Sequence, residues 1–236
     1  MAKEIAVLMA AGLGSRMRPL TEKVPKPLVK AHGRSMIDTV ISALEGRGVE
    51  HIYIVVGYLG EQFGFLAEKY PNVTIIRNTE YNEKNNISSI HAAAEVMRTA
   101  DCFICEADLF VSDPSIFKAK LDRSCYYGKM VKGYSDDWVF DLDKDGFITR
   151  VGKGGTDTYN MVGVSYFKQK DAALIADAVL EAYRHEGHEQ LYWDEIVDQQ
   201  LGNLKLVINP VTAEQIVEID SVDELAEFDP DYKKYN

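Results

Sequence analysis

From Leu8 to Leu28 the chain reads Leu-Met-Ala-Ala-Gly-Leu-Gly-Ser-Arg-Met-Arg-Pro-Leu-Thr-Glu-Lys-Val-Pro-Lys-Pro-Leu, a string suited to holding phosphates. An apolar run gives way to the small residues Ala10, Ala11, Gly12 and Gly14, which let backbone N–H groups approach phosphate oxygens closely. Arg16 and Arg18 add fixed positive charge, and a guanidinium can grip a phosphate with two hydrogen bonds. Lys26 stands between Pro25 and Pro27, which stiffen the backbone around it. The plainer alternative is a glycine turn followed by solvated basic residues; the spacing of the whole string favours phosphate binding. Two other glycine motifs do not fit. A Walker loop needs Lys and then Ser or Thr after its last glycine, where this chain has Ser15-Arg16, and a dinucleotide loop needs a third glycine where this chain has Met17.

These residues need a frame. Glu4 to Met9 reads as a buried strand, Ser35 to Arg47 as a helix capped by Ser35 and ended by Gly48, and His51 to Val56 as a second strand. Glu61 to Tyr70 and Asn86 to Arg98 read as helices, and Val73 to Arg77 and Asp101 to Glu106 as strands. Strands alternating with helices predict an α/β, Rossmann-like mixed sheet, mainly parallel, with ligands outside the C-terminal strand ends. The second half reads differently: Ser124 to Lys132, Trp138 to Leu142, Phe147 to Val151 and Asn160 to Phe167 look like strands, followed by an amphipathic helix over Asp171 to Tyr183. Leu204 to Ile208 and Gln215 to Ile219 read as short strands, and a last helix starts at Ser221 with Glu224 in capping-box position. The expectation is one domain over 1–236. Its nucleotide-binding core takes about 1–123 and 204–228, and a β-rich acceptor-binding insertion with helices takes about 124–203.

The net charge of −11 argues against a double-stranded nucleic-acid partner, whose affinity comes from Lys and Arg neutralising phosphates. No stretch approaches the roughly 20 apolar residues of a membrane span, and the opening apolar run lacks a cleavage-like sequel. The 3 cysteines, Cys102, Cys105 and Cys125, are too few and odd in number for a disulfide framework. A cytoplasmic protein without nucleic-acid or membrane partners is expected. The polar tail, 229–236, is compatible with a longer parent chain carrying a further pathway enzyme.

The Leu8–Leu28 string resembles the signature of the nucleoside-diphospho-sugar transferase superfamily. From about residue 4 to 228 the chain resembles the small cytidylyltransferase branch, the bacterial CTP:phosphocholine cytidylyltransferases. Matching segments occur in order: Val55-Val-Gly-Tyr-Leu59, Tyr81 through Asn85-Asn86, Ala107-Asp108, Asp137-Trp138, Leu191-Tyr-Trp-Asp194 and Glu218-Ile-Asp-Ser221. The resemblance implies that Gly12, Gly14, Ser15 and Arg16 hold the triphosphate of CTP, with Ala10 and Ala11 in the same loop. It implies that Lys26 meets the phosphates and the acceptor's acid group. Gly57, Tyr58 and Asn86 would lie by base and ribose, and Asp108 and Asp220 would bind Mg2+. Residue placement agrees for the carboxylates: Asp108 follows a predicted strand, and magnesium prefers one or two carboxylates plus phosphate oxygens. For Asp220, a second N-cap group beside Ser221 is an equal reading, and Glu106 is a further candidate toward the metal. Arg16, Lys26 and Asp108 are the expected catalytic residues.

The acceptor side is open between two readings. Trp138, Tyr192 and Trp193, with Asp137 and Asp194, form aromatic-plus-acidic clusters suited to an ammonium, whereas large aromatics are ordinarily core residues. Phosphocholine is the first expectation. After Asn85-Asn86 the chain reads Ile87-Ser88-Ser89, a departure from the phosphocholine enzymes it resembles, which tend to carry an aromatic there; if that aromatic helps cage a trimethylammonium group, its loss favours a smaller primary amine such as 2-aminoethylphosphonate, with Ser88 and nearby aspartates as hydrogen-bond acceptors. A sugar-1-phosphate nucleotidyltransferase and a catalytically silent nucleotide-sensing module are the remaining alternatives. The short C-terminus and the acidic aromatic pairs speak against the first, and Arg16, Lys26, Asp108 and Asp220 against the second.

Three signals are declined. Asp141-Leu-Asp-Lys-Asp-Gly146 imitates a calcium loop but has Gly152 at the twelfth position, so Asp145-Gly146 reads as a hairpin turn. Cys102-Phe-Ile-Cys105 lies inside a strand, where residues three apart face opposite sides. His185 and His188 read as a solvated helix end, and His91 as a packed or surface residue.

Overall fold

The computed structural model describes residues 3–235, so Asn236 of the polar tail lies outside the described residues. The chain runs β1 (Glu4–Ala10), β2 (Lys30–Ala31), β3 (Arg34–Ser35), α1 (Met36–Arg47), β4 (His51–Val56), α2 (Gly64–Lys69), β5 (Val73–Arg77) and α3 (Ile87–Met97). It continues through β6 (Asp101–Glu106), β7 (Leu109–Val111), β8 (Cys125–Leu142), β9 (Ile148–Phe167), α4 (Gln169–Ala182), α5 (Trp193–Gln199), β10 (Val207–Val211), β11 (Ile216–Glu218) and α6 (Val222–Phe228). One sheet of 7 strands has the order β10-β8-β9-β6-β1-β4-β5. β6, β1, β4 and β5 are parallel neighbours, and β9 is antiparallel to both β6 and β8. This is the mixed, largely parallel α/β sheet that the alternation of strands and helices predicts.

The sheet core follows from composition. β1 carries Ile5, Ala6, Val7 and Leu8, all buried, because helices cover both faces of a parallel sheet. One core packs α1 and Phe63 against Leu8, Ile54 and Phe103; the other packs α3, α4 and α5 against Val7, Val55 and Phe167. Local signals hold where backbone chemistry dictates them. The Ser35 hydroxyl accepts from the Asp38 N–H, and Gly48 adopts φ +91° at the end of α1. Ser221 and Glu224 form a reciprocal capping box at α6.

The four strands expected between 124 and 167 are two. β8 and β9 run 18 and 20 residues, with register shifts where the sequence suggests turns. Bulges absorb the Gly-rich and polar interruptions without ending the ladder. The inner ends of this hairpin belong to the main sheet, where Cys125 pairs with Tyr166 and Cys105 with Val164. Its tip is the turn expected at Asp145-Gly146, with the Asp143 carboxylate accepting the Asp145 and Phe147 N–H groups at 2.9 Å each. The expected strand from Leu204 begins at Val207 and runs parallel to β8. All three cysteines are buried and free, with burial pushing their thiols up. His91 stacks on Tyr183 with centroids 3.7 Å apart; His188 packs on the same ring at 4.4 Å, so it is less solvated than its helix-end position suggests. No described helix is long and apolar enough to cross a membrane.

Candidate active site

A cleft of about 500 Å³ opens at the C-terminal edge of the parallel strands. Register puts it there: Met9 pairs with Glu106 and Ala10 with Val56, so three strands end at one level. One wall is the loop after β1, with Ala10, Ala11, Gly12, Gly14, Ser15 and Arg16 all lining the cleft. Gly14 has φ +60°, and a Cβ there would lie 2.9 Å from the Lys26 Cβ, so glycine lets the loop close onto the lysine. Thr21 Oγ1 donates to the Gly14 carbonyl at 2.8 Å, which pins the loop from behind.

The floor is acidic. Asp108 immediately precedes β7, and Asp220 lies two residues beyond the end of β11; antiparallel pairing of these strands (Leu109 opposite Glu218) brings the two aspartates together. Lys26 Nζ sits between them, 2.6 Å from Asp108 Oδ2 and 2.5 Å from Asp220 Oδ1. Arg16 reaches the same Asp220 oxygen at 2.8 Å. The Lys26 side chain is only 8% exposed, so its charge is held by the carboxylates rather than by water. Burial alone would lower the Lys26 pKa, but the two carboxylates outweigh it and hold the ammonium above the ordinary lysine range. Burial works to raise the Asp220 pKa, but Lys26 and Arg16 hold it below the usual carboxylate value. The second reading of Asp220, as an N-cap group, does not describe its side chain. Ser221 caps α6, and only the Asp220 N–H takes part, donating to Glu224 at 2.6 Å.

Glu106 and Glu218 complete the floor, and both line the cleft. Burial, reinforced by Asp108 and the neighbouring carboxylates, pushes Glu106 well above the usual range. Burial and the charges of Asp108 and Asp220 push Glu218 up to about 8. Asp108 Oδ1 is buried and has no hydrogen-bond partner. Two carboxylates already spanned by a cation, one with a free oxygen, suit a divalent ion that takes its remaining ligands from phosphate and water. Among the described residues no group of three or more His, Cys, Asp or Glu is arranged to hold a metal by itself.

The remaining wall is the segment between β5 and α3. Asn78, Tyr81, Lys84, Asn85, Asn86, Ser88 and Ser89 line it. Ser88 is 2% exposed, and its hydroxyl donates to the Asn85 carbonyl at 2.8 Å while accepting from Asn78 at 2.9 Å. Those bonds shape the start of α3 and leave the hydroxyl no proton for a substrate. The Asn86 side chain accepts the Trp193 N–H at 3.0 Å, so this cleft residue also anchors α5. Lys84 is paired with Glu80 and lies over the Tyr183 ring at 4.3 Å.

Several expected residues sit elsewhere. Gly57 and Tyr58 do not line the cleft. A Cβ on Gly57 would come within 2.5 Å of Tyr81, so its glycine admits that ring, while Tyr58 braces the loop by bonding Ala11 and Thr21. Trp193 is core: 3% exposed, it stacks on Tyr126 and meets Phe167 edge-on. Asp194 is equally buried, accepts from the Tyr126 hydroxyl at 2.9 Å, and is pushed by burial up to about 7. Trp138 and Tyr192 stay half-buried and meet edge-to-face with centroids 5.3 Å apart. Asp137 is exposed, and its charge reaches Glu218. Glu218, Lys84, Asn78 and Tyr81 were given no site role from sequence. All but Asn78 lie inside segments that carry the family resemblance, which is the signal that could have found them.

The family described as MobA-like NTP transferase domain matches residues 6–136. A 2-aminoethylphosphonate cytidylyltransferase of Lancefieldella rimae is 56% identical over 230 residues, 98% of this chain and 94% of that protein. A choline-phosphate cytidylyltransferase of Streptococcus pneumoniae is 30% identical over 98% of this chain and 99% of its own length. A solved structure of the CTP:phosphocholine cytidylyltransferase from Streptococcus pneumoniae superposes with a TM-score of 0.89 at 30% identity, covering 98% of this chain and 100% of that one. A family match over more than half of the chain and full-length likeness to cytidylyltransferases give one conclusion: the chain belongs to the MobA-like NTP transferase family, within a branch of cytidylyltransferases.

Proposed function

We propose that the protein transfers CMP from CTP to 2-aminoethylphosphonate, giving CMP-2-aminoethylphosphonate and pyrophosphate. The observation that carries this reading is the 56% identity, over 98% of the chain, to a 2-aminoethylphosphonate cytidylyltransferase. This reverses the order of acceptors expected from sequence, in which phosphocholine came first. The site is compatible with the reversal: Asn78, Ser88 and Ser89 make one wall of the cleft polar, and Glu106 and Glu218 offer oxygens to a primary ammonium. Phosphocholine remains the second reading, supported by the 30% relatives and by the Trp138–Tyr192 corner.

In this mechanism a phosphonate oxygen attacks the α-phosphorus of CTP in line. The new P–O bond forms as the bond to the bridging β-phosphate oxygen breaks, and its electron pair leaves with pyrophosphate. The nucleophile is already an oxyanion, so no residue must remove a proton. The loop after β1 presents N–H groups to the phosphates. Arg16 and Lys26 exchange their carboxylate partners for phosphate oxygens and neutralise the charge that develops. Asp108 and Asp220 would hold Mg2+, which when bound supplies further neutralisation on the triphosphate. Pyrophosphate release from CTP, measured with aminoethylphosphonate, phosphocholine and sugar 1-phosphates, tests the reading. Preference for aminoethylphosphonate is expected; release with sugar phosphates alone, or with no acceptor, overturns it.

A further inference from the structure

The corner made by Trp138 and Tyr192 already holds a cation. Lys153 Nζ lies 5.9 Å from the Trp138 ring centre and 5.5 Å from that of Tyr192. Backbone register fixes this arrangement. Lys153 and Trp138 are partners in the β8–β9 ladder, so their side chains leave the hairpin as cross-strand neighbours. Gly152 precedes Lys153, and Gly154 and Gly155 follow it, so no adjacent side chain competes for the ring faces.

The corner is tied to the cleft through the backbone, although neither ring lines it. Tyr192 adjoins Trp193, whose N–H is bonded to the cleft residue Asn86. A quaternary ammonium has no N–H to donate and depends on aromatic faces, whereas a primary ammonium can bind carboxylates through its protons. We infer that Lys153 is a specificity-determining residue: its ammonium fills the Trp138–Tyr192 corner, denies it to quaternary amines, and leaves primary amines to the acidic floor. The inference rests on the reading of the acceptor as an amine-bearing phosphonate or phosphate.

The test compares the parent protein with Lys153→Leu and, as a second neutral variant of similar length, Lys153→Gln. The ratio of kcat/KM for phosphocholine to that for 2-aminoethylphosphonate should rise about tenfold in both, the size of one good cation–π contact. Lys153→Arg, which keeps a cation over the rings, should leave the ratio at the parent value. Titration with tetramethylammonium should quench tryptophan fluorescence in Lys153→Leu and not in the parent, and Trp138→Phe should remove the quench. An unchanged ratio in the folded neutral variants, or equal titrations with and without Lys153, overturns the inference. Failure of the parent to use either acceptor with CTP would instead sink the proposed function, and the tetramethylammonium titration would still decide the role of Lys153.

Discussion

Two lysines divide the molecule. Lys26 is almost fully buried, bonded to two carboxylates, and belongs to the floor of the cleft. Lys153 is exposed on the hairpin and rests on two aromatic rings. The first region is built of charges that must be satisfied by other charges, so each residue constrains its neighbours. The second is built of weak contacts that tolerate exchange. In the proposed reaction, one half would keep the phosphate chemistry fixed while the other adjusts which amine is accepted.

The strongest way to break this contrast is at the floor. Asp108→Ala should lower CMP transfer by about a thousandfold, as expected for loss of a group neutralising transition-state charge. An Asp108→Ala protein that still released pyrophosphate from CTP at the parent rate would remove the floor from the chemistry. The next effect separates the two tryptophans. Trp193→Ala should cost about 3–5 kcal/mol of stability in denaturant unfolding, because it empties a packed site between Tyr126 and Phe167. Trp138→Ala should cost under about 1 kcal/mol and act on the KM of the acceptor instead. Equal losses of stability would erase the distinction between core and rim.

Lys26 offers a subtler measurement. Its ammonium lies between the two carboxylates that would bind a divalent ion, so it competes with that ion when no triphosphate is present. Mn2+ binding to the nucleotide-free protein, followed by electron paramagnetic resonance, should tighten about tenfold in Lys26→Gln, since one like charge leaves the site. Unchanged or weaker Mn2+ binding would show that the lysine does not guard the pair.

The smallest effect is on stability against pH. Asp194 has its pKa raised to about 7 in the folded state, so the native protein binds more protons than the unfolded chain between the ordinary carboxylate value and 7. Its contribution therefore weakens as pH rises through that window, opposite to a salt-bridged aspartate. Asp194→Asn should flatten the fall in Tm between pH 5 and pH 7, a span set by that shift. A slope equal to the parent's would place the proton elsewhere.

The same division explains what could be read from the sequence. The phosphate loop is one continuous string, and its small residues, arginine and proline-flanked lysine each state a local requirement. The parallel sheet was legible too, because a doubly covered strand such as β1 is apolar along its length. The acceptor side was not. The difference between Trp138 at the rim and Trp193 in the core depends on which face of α5 packs inward. Lys153 gains meaning only from the register of a ladder whose bulges no local pattern announces. The order of acceptors proposed above departs from the one read from sequence for the same reason: aromatic residues advertise a cation site without saying what lies over them.

The small β7–β11 ladder sets the order in which the enzyme becomes competent during its own synthesis. Asp108 leaves the ribosome early, but its partner Asp220 arrives more than a hundred residues later, carried by the strand that pairs back onto β7. A nascent chain that already has the loop after β1 and most of its sheet still lacks half of the carboxylate pair. Assembly of the pair therefore waits for β11, the strand that carries Asp220 back to β7.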